Sequence, residues 1–318
     1  MAEPETPTAA LDGLALDDVK AGGKVALARA LATLESQPDS APTADLLSAA
    51  HAAPRAHVVG ITGPPGVGKS TLVNSLIAAW RGRGQTVGVI AVDPSSRRTG
   101  GALLGDRTRL RNDPDDQGVF VRSMAARDHL GGLAGLTTAA MVLMRALYDV
   151  VLIESVGVGQ SETEIVGVAD TVVFCVQPGS GDSLQFMKAG ISEIPHIVVV
   201  TKADMGPAAE RARGDVTGAL SLAVAWSDWD IPVLTVSASR QQGLEEMMGA
   251  VDAHAAWLDT EDRRTDLRQA QAEGWLLEFV RERFGRDGAR RAGVLTLGRG
   301  ECPFNRFADI TARLSARA

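Results

Sequence analysis

The chain has 318 residues, 45% of them hydrophobic, enough for one large domain with extensions and a substantial core. Its formal net charge of −7 and the lack of a basic run argue against a nucleic-acid partner, and no uncharged apolar stretch of about 18 residues suggests a membrane span. The acidic, proline-bearing start MAEPETPTAALDG does not read as a targeting peptide, and two distant cysteines, Cys175 and Cys302, lack metal or redox spacing, so a cytoplasmic protein is expected.

Residues 1 to about 20 carry too few apolar side chains to predict order. Lys24 to Ser36 then places Val25, Leu27, Ala28, Leu31 and Leu34 at helical spacing, and ADLLSAAHAA predicts a second helix. Together they form an expected N-terminal helical extension, residues 1–55. His51 and His57 fall at a surface or strand edge, since no partner stands at ligand spacing.

From residue 57 apolar strands alternate with amphipathic helices. Strands are expected at 57–62, 86–92, 118–122, 150–154, 171–176, 196–201 and 232–236. This alternation predicts an α/β fold over residues 56–258, with a mostly parallel sheet flanked by helices and ligand loops at the strands' carboxyl ends. The first strand runs into Gly63, Pro64, Pro65, Gly66, Val67, Gly68, Lys69, Ser70 and Thr71, a full GxxxxGK[ST] phosphate loop. Backbone N–H groups of such a loop cradle phosphates, Lys69 reaches the β/γ-phosphates, and the Ser70 hydroxyl can hold Mg²⁺.

Further candidates follow in chain order. Asp93 ends the second strand and can position Mg²⁺ or attacking water, or merely cap a turn. Asp106 lies in a loop with Gly100, Gly101 and Gly105, which can reorganise between nucleotide states. The fourth strand ends in Glu154, an acid placed to bind Mg²⁺ through water, and Gly157 can offer its N–H to the γ-phosphate. Gln160 and Glu162 stand off the usual spacing of a water-orienting glutamine. The sixth strand ends in Thr201-Lys202-Ala203-Asp204, a guanine motif with threonine for asparagine. The Asp204 carboxylate can accept from guanine N1–H and N2–H₂, a pairing adenine does not offer. Ser237, Ala238 and Ser239 close the next strand, where the Ala238 N–H can meet guanine O6. The nucleotide expected is GTP/GDP.

Taken together, GPPGVGKST, VDPSS…TGGALLGDR, FVRSMAAR…LGGL, ESVGVGQSE, QPGSGD and TKAD resemble the methylmalonyl-CoA mutase-associated GTPases, in the ExxG branch of metal- and cofactor-chaperone GTPases. The resemblance runs from about Lys24 to about Trp257. It implies a homodimeric GTPase that binds adenosylcobalamin-dependent methylmalonyl-CoA mutase, gates cofactor loading and protects or reactivates the mutase. It places phosphate contacts on Gly63 to Thr71, the Mg²⁺ sphere on Ser70, Asp93, Asp106 and Glu154, and base recognition on Lys202, Asp204 and Ser237 to Ser239. It also implies a third switch from Gln177 to Lys188. Ser155 stands for a usual threonine and Asp128 for a usual glycine. The family's dimerisation arm would occupy residues 259–318, with Leu267, Ala270, Trp275, Leu276, Phe279 and Val280 available for a packed face; AGVLTLGRGECPFNRF does not read as that arm's helix. Two other readings compete: a P-loop kinase linked to amino-acid transport, and a nickel-type metallochaperone. The second needs clustered His/Cys ligands, which five scattered histidines do not suggest.

Overall fold

A computed structural model describes residues 15–94, 110, 113, 115–126, 135–155, 164–179, 194–222 and 228–316. Among these, seven parallel strands form one sheet in the order β3-β2-β4-β1-β5-β6-β7. They are β1 His57–Thr62, β2 Val87–Pro94, β3 Val119–Ala126, β4 Val150–Glu154, β5 Thr171–Val176, β6 Ile197–Val200 and β7 Val233–Thr235. The helices are α1 Leu16–Ser36, α2 Ala41–Ala52, α3 Lys69–Gly82, α4 Gly135–Leu147, α5 Pro207–Leu222, α6 Leu244–Leu258, α7 Arg263–Ala292 and α8 Pro303–Ser315.

The central strands are apolar almost throughout because both faces are covered. Alternate side chains divide between two cores. Val58, Val151, Ile153, Val172, Phe174 and Val198 face one, against α4, α7 and the N-terminal helices. Val59, Ile61, Leu152, Val173, Cys175 and Val199 face the other, against α3 and α6. The chain turns back across the sheet at β1, which lies between β4 and β5. That reversal opens a crevice at the carboxyl ends, and the phosphate loop leaves β1 directly into it.

The chain ends differ from the sequence expectation. Helix α1 starts at Leu16, ahead of the expected Lys24, because Leu16, Val19, Leu27 and Leu31 bury against the first core. α1 continues through a kink at Gly23, where φ is 60° and ψ −146°. At the other end Trp275, Leu276 and Val280, members of the expected packed face, are buried in the chain's own core. Residues 293–302 run non-helically beside α7, with the Gln269 amide donating to the Leu297 carbonyl and the Leu297 N–H to Glu273. α8 then packs back on α7, with Phe304 and Phe307 rings 5.7 and 5.6 Å from Phe279.

A buried polar network joins α7 to the amino ends of the strands. Asp170 is 1% exposed and accepts from the Val58 N–H and from Arg268 Nε and Nη2. Burial pushes this carboxyl up, but the Arg268 hydrogen bonds and charge outweigh it and hold it well below the usual range. Beside it, Arg264 Nη1 lies 2.8 Å from His57 Nδ1. A guanidinium can only donate, so His57 accepts there and carries its proton on Nε2, which donates to Thr171 Oγ1 at 2.7 Å. The Thr171 hydroxyl then donates to His254 Nδ1, also at 2.7 Å. His196 Nδ1 accepts from the Val172 N–H and its ring lies 4.3 Å from that of His254. Three histidines that look scattered in sequence thus converge as neutral rings. Burial lowers their pKa values to about 4 for His57, about 4 for His196 and about 2 for His254.

Candidate nucleotide site

The phosphate loop has its shape for steric reasons. Gly63 has φ of 135°, and a Cβ there would lie 2.3 Å from the Cys175 carbonyl oxygen on β5. Only glycine allows β1 and β5 to approach at this exit, and Gly68, at φ 103°, forms the left-handed N-cap of α3. Val67 is fully buried in the second core and anchors the loop, while Pro65, Gly66 and Thr71 remain exposed. Lys69 is 7% exposed, and its Nζ donates to the Gly63 carbonyl at 2.7 Å and the Pro64 carbonyl at 3.1 Å. The ammonium is therefore fixed at the loop.

β4 delivers Glu154 beside this loop because Ile61 and Glu154 are register partners. Ser70 Oγ donates to Glu154 Oε1 at 2.7 Å. A hydroxyl and a carboxylate oxygen brought together are the hard donors that suit Mg²⁺, so the residues present fit this ion. Among the described residues no group of three or more His, Cys, Asp or Glu side chains is placed to hold a metal alone. Ser155 donates to Thr62 Oγ1 at 2.8 Å, and its N–H donates to the Ile61 carbonyl at 3.0 Å. The hydroxyl retained at Ser155 thus ties the ends of β1 and β4. Asp93 lies near the end of β2, in register with Ala125 and two residues beyond Ala91, the register partner of Glu154. Asp106, Gly157, Gln160, Glu162, Asp128 and Lys188 lie outside the described residues.

The loop after β6 reaches the same crevice. Thr201 is 5% exposed, and its hydroxyl reaches the Val67 carbonyl at 2.7 Å and the Val176 carbonyl at 3.0 Å. Threonine in place of asparagine therefore links the base loop directly to the phosphate loop. Lys202 follows in the left-handed region at φ 55°, and its Nζ donates to Gln177 Oε1 and lies 3.4 Å from the Gly66 carbonyl. Its stem thus spans from the base loop to the phosphate loop. Asp204 Oδ1 accepts from Ser237 Oγ at 2.6 Å, and Ser237 and Ser239 hydroxyls are 3.2 Å apart. The Ser237 hydrogen bond and a backbone N–H lower the Asp204 pKa, which keeps the carboxylate ionised as an acceptor. Ser237 and Gln242 exchange two backbone hydrogen bonds of 3.0 Å, closing the turn that holds Ala238. The Ala238 carbonyl in turn accepts from Ser75 of α3 at 3.2 Å.

The fold brings several of the expected side chains together here, with three supports that sequence reasoning did not name: Thr62, Gln177 as a partner of Lys202, and Ser75. Each is an ordinary residue at an element's end or on α3, identified only by what the fold brings next to it. Cys175 is plain core, and burial pushes its thiol up to about 12.

The model of the family described as methylmalonyl Co-A mutase-associated GTPase MeaB matches residues 27–290. A Pyrococcus abyssi protein that carries a GTPase name is 45% identical over 222 residues, 69% of this chain and 68% of its own length. The Mus musculus protein named methylmalonic aciduria type A homolog, mitochondrial, is 36% identical over 228 residues, 70% of this chain and 55% of that one. A crystal structure described as a LAO/AO transport system kinase has a TM-score of 0.66 at 26% identity, with 94% of this chain and 96% of the other covered. The family match takes in both nucleotide loops and nearly all of α7, and the chain belongs to the methylmalonyl-CoA mutase-associated GTPase family.

Proposed function

We propose that this GTPase is a chaperone of adenosylcobalamin-dependent methylmalonyl-CoA mutase: it binds the mutase, gates loading of intact cofactor, and protects or reactivates the enzyme. The observation that carries the reading is the family match over residues 27–290, and the name of the Mus musculus relative points the same way. We place the protein in the cytoplasm as a homodimer, a state that sedimentation of the purified chain tests. Any such dimer must use side chains other than Trp275, Leu276 and Val280.

In this account Gly63 to Thr71 bind the phosphates, and Lys202, Asp204 and Ser237 to Ser239 bind guanine. Ser70 and Glu154, with Asp93 and Asp106, would hold Mg²⁺, which would supply positive charge to the β- and γ-phosphates. The Lys69 ammonium, already fixed by two loop carbonyls, meets the charge that grows as the γ-phosphoryl group departs. Gly157 would report the γ-phosphate through its backbone N–H.

The test is a pull-down with purified mutase in the presence of GDP and of a non-hydrolysable GTP analogue. Binding that depends on the nucleotide supports the proposal, and no binding in either state refutes it. The kinase reading draws on the description of the similar crystal structure. Transfer of the γ-phosphate to an amino acid, rather than its release, would favour that reading. The nickel reading has little to draw on, because the three gathered histidines are engaged with Arg264, Thr171 and the Val172 N–H.

A further inference from the structure

β5 and β6 run in register as far as Val176 and Val200. Past that pair, the Val176 carbonyl accepts from the Thr201 N–H at 2.8 Å and from the Thr201 hydroxyl at 3.0 Å. Gln177 and Lys202, one residue further along each segment, are joined through their side chains, with Lys202 Nζ donating to Gln177 Oε1. The Cys175 carbonyl, two residues before Gln177, is the atom that a Cβ at position 63 would meet, so the end of β5 also abuts the phosphate loop. Gln177 thus stands half-buried where the phosphate loop, the end of β5 and the base loop come together.

Lys202 needs such an anchor. The residue is exposed, and its ammonium rides on a flexible four-carbon stem. The tip's contact with the phosphate loop, at 3.4 Å from the Gly66 carbonyl, is at the outer limit of a hydrogen bond, which leaves Gln177 as the firmer hold. The Lys202 backbone sits in the left-handed region at φ 55°, a conformation that a residue with a side chain keeps only when its surroundings hold it there. An amide oxygen is a neutral acceptor, so it fixes the ammonium without cancelling its charge. The Asp204 carboxyl, lowered most by its Ser237 hydrogen bond, still feels the charge of Lys202.

We propose that Gln177 is a positioning residue for base recognition, which by holding Lys202 Nζ sets the Lys202 stem over the guanine ring before the nucleotide arrives. The inference rests on the proposed role of Lys202 in binding the base. Ordering the stem in advance removes a cost that binding would otherwise carry, so the effect falls on affinity and not on the hydrolytic step.

The test measures the affinity of the full chain for GDP and for inosine 5′-diphosphate by calorimetry, in wild type, Gln177→Met, Lys202→Ala and the double variant. Methionine keeps an unbranched side chain of similar length but lacks the amide oxygen. Gln177→Met should weaken GDP binding by about three- to tenfold, the size of one ordinary hydrogen bond. Inosine diphosphate should lose the same factor, because the stem lies over the ring face that both bases share. Lys202→Ala should weaken GDP binding at least as much, and adding Gln177→Met to it should cost less than about twofold more. Single-turnover hydrolysis at saturating GTP should stay within about twofold of wild type in Gln177→Met. Unchanged GDP affinity in Gln177→Met beside a clear loss in Lys202→Ala would overturn the inference while the base-site reading stands. Additive losses in the double variant, a loss confined to GDP, or a fall in single-turnover hydrolysis to match the loss of affinity would overturn it as well. Unchanged GDP affinity in Lys202→Ala would instead refute the base-site reading, and the inference with it.

Discussion

Three side chains would carry separable parts of the proposed nucleotide site. Lys69 supplies charge from a fixed position, and removal of such an electrostatic group costs about 10²–10³-fold in turnover. Lys69→Ala should show a loss of that size in phosphate release under saturating GTP; near-normal turnover would remove the lysine from the mechanism. Asp204 is an ionised acceptor oriented by Ser237. Asp204→Asn converts one acceptor into a donor and should shift competition binding from GTP toward XTP. Undiminished preference for GTP would mean that the base is read elsewhere. Thr201 plays a different part, since its buried hydroxyl satisfies loop carbonyls. Thr201→Val keeps the shape but leaves the Val67 carbonyl without that donor, at a cost of about 1–3 kcal/mol in chemical denaturation. A change too small to measure would show that the carbonyl finds another partner.

At the scale of elements, the joint between α7 and the sheet rests on Asp170 and its arginines. Asp170→Ala leaves the Arg268 guanidinium, 16% exposed, without its carboxylate, and should destabilise by about 3–5 kcal/mol. Denaturant midpoints of the two proteins check this, and equal midpoints would contradict it. The same joint sets a pH response. The folded pKa values of His57, His196 and His254 lie below the ordinary imidazole value of about 6.5, at about 4, 4 and 2. The unfolded chain therefore binds more protons than the folded one as pH drops below 6.5. Stability should be level above about pH 7, decline from 6.5 through 4, and decline further below that as His254 is forced to protonate. An unfolding free energy that is flat between pH 7 and 5 would contradict neutral, buried rings. Much of this fold was legible in sequence. β1, β4 and β5 match the expected ranges, since each is a short apolar run bounded by turn or polar residues. β2 and β3 extend further because each continues as long as its neighbour offers a hydrogen-bonding edge. The histidine cluster was not legible, because His57 on β1, His196 just before β6 and His254 on α6 are far apart in sequence and meet only around the start of β5. α8 could have been found: Pro303 at its start and Phe304, Phe307, Ile310 and Leu314 at helical spacing form an apolar stripe. The α1 kink has Gly22-Gly23 as its signal, since Gly23 adopts the positive φ that glycine permits.

For the whole molecule, the proposed function joins a fixed nucleotide site to a partner that would alter its turnover. The Ser70–Glu154 contact, the fixed Lys69 ammonium and the Thr201 link make one end of the sheet a preassembled crevice. The expected glutamine for water orientation is not at the usual spacing after Glu154. Hydrolysis by the isolated chain should accordingly be slow. A partner that binds the reactive arrangement better than the resting one lowers the barrier by its differential affinity, and about 3 kcal/mol corresponds to roughly a hundredfold. Linkage then requires the partner to discriminate between the GTP and GDP forms. The most direct measurement is phosphate release from GTP by the purified chain, titrated with adenosylcobalamin-dependent methylmalonyl-CoA mutase. The account predicts a low basal rate that rises by about two orders of magnitude and saturates with the mutase; a rate that stays flat across the titration would contradict it.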